Sequence, residues 1–98
     1  MPSKISLIEY YLPTKLITNE SISKNMPGWT SDKILNKIGI ERRYISEKNE
    51  TALDLAEKAC NKISKKIDFS KVDALVLCTQ SPDYFLPTSA CILQDRIG

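Results

Sequence analysis

The chain has 98 residues, 42% hydrophobic and 27% charged, with a net charge of +2. That length supports one small domain, and so small and evenly spread a charge argues against a nucleic-acid surface. No run approaches the roughly 20 apolar residues of a membrane-spanning helix, and Met1-Pro2-Ser3-Lys4 opens no apolar signal core, so the chain reads as cytoplasmic.

The first apolar run, Ile5 to Tyr10, alternates well enough for a strand, and Pro13 stops it. Asn19 is a fair N-cap for a short helix ending near Lys24, and Pro27-Gly28 is a turn. Thr30, Ser31 and Asp32 supply capping oxygens for a second short helix carrying Ile34, Leu35 and Ile38, with Gly39 at its left-handed C-terminal cap. The clearest helix begins at Thr51, which forms a capping-box pair with Asp54. Ala52, Leu55, Ala56, Ala59, Cys60, Ile63 and Ile67 then recur at helical period as its apolar face. Lys58, Lys62, Lys65 and Lys66 read as a solvated face, with membrane or nucleic-acid contact as the competing use.

Ala74 to Cys78 runs apolar without alternation, the pattern of a strand covered on both faces in a parallel sheet. Thr79 to Pro87 is a loop at that strand's carboxyl end, where open parallel sheets bind ligands. A final helix from Thr88 or Ser89 is expected to bury Ala90, Leu93 and Ile97. The order implies an α/β fold, and an incomplete one, since closing a parallel sheet needs more strands than these.

The three cysteines, Cys60, Cys78 and Cys91, are odd in number and widely spaced, which fits free thiols better than disulfides or a zinc site. There is no histidine, so a Ser-His-Asp or Cys-His pair cannot be assembled within these residues.

Four stretches carry a resemblance. They are Tyr11-Leu12-Pro13 with Thr18-Asn19, Ile38-Gly39-Ile40-Glu41-Arg42-Arg43, Thr51 to Ala56, and Cys78 to Cys91 followed by Gln94 to Gly98. In that order they resemble the N-terminal part of β-ketoacyl-acyl-carrier-protein synthase III enzymes, members of the thiolase-like superfamily. The resemblance implies that residues 1–98 form the N-terminal portion of a thiolase-like domain, with mostly parallel strands and flanking helices. It implies an acyltransferase of fatty-acid biosynthesis, or of a related acyl pathway, that condenses an acyl thioester with malonyl-acyl-carrier protein and releases CO2. The family's catalytic Cys, His and Asn are expected beyond Gly98, so the 98 residues are expected to be inactive alone.

The partners so implied are acyl carrier protein, acyl-coenzyme A or acyl-carrier-protein donors, and a second copy in a homodimer, with neither nucleic acid nor membrane. The same resemblance implies no permanently bound cofactor and no metal, with the coenzyme A thioester as a substrate. The family positions that hold coenzyme A fall on Lys33 and Lys37, which replace a stacking Trp and an Arg. Trp29 either takes over the stacking after a one-turn shift or packs over the short helix. Leu86 matches a position reaching across the dimer to the partner's acyl pocket, and alternatively covers its own core. Cys91 matches a position without catalytic duty, and it, Cys78 and Cys60 are expected to pack; Arg42 and Arg43 are expected to make structural hydrogen bonds or ion pairs. A related thiolase-fold transferase with another acceptor and a non-catalytic interaction module remain as alternatives.

Overall fold

Four threonines decide where the helices begin. Thr18, Thr30, Thr51 and Thr88 each hold an extended backbone immediately before α1 (Asn19–Ser23), α2 (Ser31–Ile38), α3 (Ala52–Ile63) and α4 (Ser89–Ile97). In the first three the hydroxyl accepts an N–H of the opening turn, which that turn cannot satisfy internally. The computed structural model describes residues 1–98. They form two compact units, Leu12–Asn49 and the combination of Met1–Tyr11 with Glu50–Gly98.

In the Leu12–Asn49 unit, β1 (Lys15–Thr18) pairs antiparallel with β2 (Arg42–Ile45), with Leu16 opposite Tyr44 and Ile17 opposite Arg43. The helices α1 and α2 lie between them in sequence. Gly39 ends α2 at φ 74°, a left-handed turn that a Cβ would strain, and its N–H reaches the Leu35 carbonyl at 2.7 Å. Ile34 is the buried apolar anchor, and Asn19, 1% exposed, is the buried polar one. The Asn19 Nδ2 donates to the Ile40 carbonyl at 2.8 Å, and its Oδ1 accepts from Arg43 Nη2 at 2.9 Å.

In the other unit, α3 packs on α4, and each carries one fully buried leucine, Leu53 and Leu93, both 2% exposed. Arg96 adds ion pairs to Asp54 at 2.9 Å and Glu57 at 3.1 Å. The capping box expected from Thr51 and Asp54 is present in both directions. Of the expected apolar face of α3, Leu55, Ala56, Ala59, Cys60 and Ile63 are half-buried while Ala52 and Ile67 are exposed, and the fully buried residue is Leu53. Lys58, Lys62, Lys65 and Lys66 are exposed, as a solvated face requires, and three of them also hold residues 9–11. Lys58 pairs with Glu50 and reaches the Tyr11 hydroxyl at 3.5 Å, Lys62 donates to the Tyr10 carbonyl at 2.9 Å, and Lys66 pairs with Glu9.

The sheet expectation needs correction. Among the described residues the one ladder is antiparallel, between β1 and β2, and neither Ile5–Tyr10 nor Ala74–Cys78 joins a ladder. Nor is 74–78 covered on both sides, since Val76 is 91% exposed while Leu75 and Leu77 are half-buried. A strand needs neighbours to accept and donate its backbone hydrogen bonds, and an apolar run supplies only the propensity for one. Cys78 and Cys91 are accordingly exposed rather than packed, and Cys60 is half-buried as expected. Of the final helix's expected core, Leu93 is buried, whereas Ala90 and Ile97 are half-buried.

Leu53→Ala is expected to cost about 2–5 kcal/mol, the usual range for emptying a leucine site, read as a lower urea midpoint. Asp54 gives a second test. The Thr51 backbone bond first, then Arg96, holds its carboxyl below the ordinary carboxylate range. A depressed folded-state pKa contributes stability that is complete above the ordinary value of about 4 and is lost as pH falls through the lower folded value. Asp54→Asn should therefore be less stable than wild type at pH 7, with the gap narrowing below about pH 4. Denaturation midpoints that stay parallel from neutral to acid pH would contradict this.

Candidate functional site

Helical side chains lean toward their own N-terminus, so a residue in the first turn covers the segment that precedes the helix. Lys33, three residues after the Thr30 cap, does this on α2. Its ammonium donates to the Gly28 carbonyl at 2.9 Å and stands 4.9 Å over the centre of the Trp29 ring. The contact is a cation–π pair whose cation is also hydrogen-bonded. Lys37 follows one turn later on the same side of α2, exposed and in the last turn, where a cation is favoured by the helix dipole. The structure thus brings Trp29 and Lys33 into contact and sets Lys37 beside them along the helix.

Trp29 also walls a cavity of about 330 Å³, together with Ile22, Met26, Ile34, Ile38 and Ile40. Arg43 completes its lining. This arginine meets the expectation of a structural role: Asn19 fixes its Nη2, while its Nη1 is buried without a hydrogen-bond partner. Apolar walls beside two exposed lysines suit a ligand with an apolar or aromatic body and an anionic end. The sequence reads Asn19 as the cap of α1, but Thr18 holds the cap position and Asn19 is the first residue of the helix. Its part in holding Ile40 and Arg43 depends on residues more than twenty positions away and had no local signal.

Leu86 belongs to the other unit, in the loop before α4. It does not cover that unit's core: Leu86 is 82% exposed and Phe85 is 96% exposed. The loop is tied at Asp83, whose Oδ2 accepts from the Thr51 hydroxyl at 3.1 Å. Cys91 lies in the first turn of α4 and its sulfur accepts from the Thr88 hydroxyl at 3.3 Å; Thr88 makes no side-chain cap bond to that turn. Burial pushes the Cys60 thiol up, away from the reactive thiolate form.

Trp29 is the sole tryptophan, so its emission reports on this site alone. Removing the ammonium with Lys33→Ala should expose the ring face and raise the acrylamide quenching constant, at a stability cost of about 1 kcal/mol or less. Unchanged quenching would mean that Lys33 does not shield the ring.

No family model matches the chain. It is 34% identical over 99 residues to a β-ketoacyl-[acyl-carrier-protein] synthase III of Solibacter usitatus, covering 98% of this chain and 29% of the relative. A synthase III of Methylococcus capsulatus is 37% identical over 98% of this chain and 30% of its own length. A 3-oxoacyl-(acyl-carrier-protein) synthase III crystal structure superposes with a TM-score of 0.83 at 44% identity, covering 92% of this chain and 27% of that one. The synthase III of Thermus thermophilus gives 0.81 at 27% identity, over 92% and 28%. The chain thus spans about 30% of the length of the relatives it matches.

Proposed function

Because the chain belongs to the 3-oxoacyl-acyl-carrier-protein synthase III family, as a segment of its thiolase-like α/β fold, we propose that the whole protein is a condensing enzyme. Its place would be fatty-acid biosynthesis or a related acyl pathway. It would join an acyl thioester to malonyl-acyl-carrier protein. A cysteine thiolate attacks the acyl carbonyl and expels the donor thiolate, leaving an enzyme thioester. Decarboxylation of the malonyl group then yields CO2 and an enolate, whose carbon attacks the thioester, expels the cysteine thiolate and forms the 3-oxoacyl product. The observation that carries this reading is a likeness to synthase III that runs through nearly the entire chain, in sequence and in backbone.

Within that scheme residues 1–98 have supporting roles, and none of them is proposed as catalytic. None of them is a histidine, so an imidazole used in this reaction would not be one of theirs. Trp29, Lys33 and Lys37 would receive the coenzyme A end of the donor, the two ammonium groups facing its phosphates and the indole its adenine. Leu86, exposed on its loop, would line an acyl pocket across a homodimer interface.

A second reading of the donor is favoured by one contact: Lys33 already stands over a face of Trp29, where an adenine would stack. Delivery of the acyl group by acyl carrier protein needs no such stacking.

The whole protein is expected to release CO2 from malonyl-acyl-carrier protein and form a 3-oxoacyl-carrier protein, detected by mass. Failure with every acyl donor tried would overturn the reaction. Replacing both Lys33 and Lys37 by Glu should raise KM for acyl-coenzyme A about tenfold, equivalent to about 1.4 kcal/mol, with little change in kcat. An unmoved KM, with acyl-carrier protein the better donor, would establish the second reading.

A further inference from the structure

We propose that Asp83 is a positioning residue for acyl-chain selection: its bond to Thr51 sets where the loop presents Leu86. The inference rests on the reading of Leu86 as part of an acyl pocket. It begins from the Thr51 hydroxyl, which has one proton to donate and lone pairs to accept with. The proton goes to Asp83 Oδ2 at 3.1 Å, while the oxygen accepts the Asp54 N–H at 3.2 Å. One hydroxyl therefore starts α3 and latches the loop of residues 79–87 to that start.

The loop has reason to need a latch. Tyr84, Phe85 and Leu86 are its three consecutive large apolar side chains, and all are exposed, so packing against their own unit does not hold them. The anchors near the tip are a turn in which the Ser81 N–H bonds the Thr79 hydroxyl at 3.1 Å, the Asp83 latch, and buried Ser89 at the start of α4. Leu86 is three residues from Asp83, so its Cα is confined to within roughly 10 Å of the latch by chain length alone. Helix α3, fixed by Leu53 and by the Arg96 ion pairs, is the rigid body to which that tether is tied. A side chain that bounds a substrate pocket discriminates chain length only if its own position is held, since each methylene is worth a factor of about 10–200 in such a pocket.

Asp83 can be changed without touching the cap, because Asp83 takes the Thr51 hydroxyl proton while the Asp54 N–H is accepted by a lone pair of the Thr51 oxygen. In the whole protein, Asp83→Ala should change the ratio of kcat/KM for a two-carbon against a six-carbon acyl thioester by about tenfold. Asp83→Asn, which keeps an acceptor oxygen, should stay within about threefold of wild type, given the weaker bond of an uncharged acceptor. Thr51→Val should reproduce the Asp83→Ala ratio while Thr51→Ser retains the wild-type one, and this pair decides the matter if Asp83→Ala does not fold. A lower melting temperature with an unchanged ratio in both Asp83→Ala and Thr51→Val would overturn the positioning role and leave the reaction standing. No condensation by the wild-type protein with any donor would overturn the reaction, and the role with it.

Discussion

The Leu12–Asn49 unit depends on one primary amide. Asn19 is almost fully buried, and its two ends go to different residues of the same returning segment, the Ile40 carbonyl and the Arg43 guanidinium. A buried amide left unpaired costs about 1–3 kcal/mol, so this geometry is strongly preferred over a slipped one. The register of β1 against β2 lies alongside it, with Thr18 opposite Arg42 and Ile17 opposite Arg43. The cavity wall made by Ile38 and Ile40 is held in place by the same two bonds. The candidate site is therefore built on a polar contact, with Ile34 as its apolar counterpart.

The second unit uses a similar economy in a different place. Thr51 caps α3, answers Asp54 and holds Asp83, and Asp54 in turn meets Arg96 of α4. Charge and capping are concentrated at one end of the α3–α4 pair, and buried Leu53 and Leu93 supply the apolar part. The exposed lysines of α3 also tie residues 9–11 to that helix. Such exposed pairs are individually weak, roughly 0–1 kcal/mol each, and they act together with the cation–π contacts that Lys58 and Lys62 make to Tyr11 and Tyr10.

For function, the arrangement divides labour. Trp29, Lys33 and Lys37 offer an aromatic face and two cations next to an apolar cavity, which in the proposed function would grip the far end of a thioester donor. The loop before α4 presents apolar side chains outward from a fixed point. The chain has no histidine, and burial shifts its half-buried Cys60 toward the thiol. Binding and selection are the tasks proposed for these residues.

Local rules were enough to read all four helices from the sequence. Thr30, Thr51 with Asp54, and Gly39 act on atoms within a few residues of themselves, so caps and C-terminal turns are legible from spacing alone. The kinship was legible too, because it lies in the order of four short stretches and not in any contact. Whether Ala74–Cys78 pairs as a strand, which residue of Ala52 and Leu53 faces inward, whether Cys78 and Cys91 are covered, and what the α3 lysines hold were decided by tertiary structure. Each of these depends on groups distant in sequence. A backbone ladder needs a partner, and burial needs a neighbour, and neither is encoded in the periodicity of the segment itself.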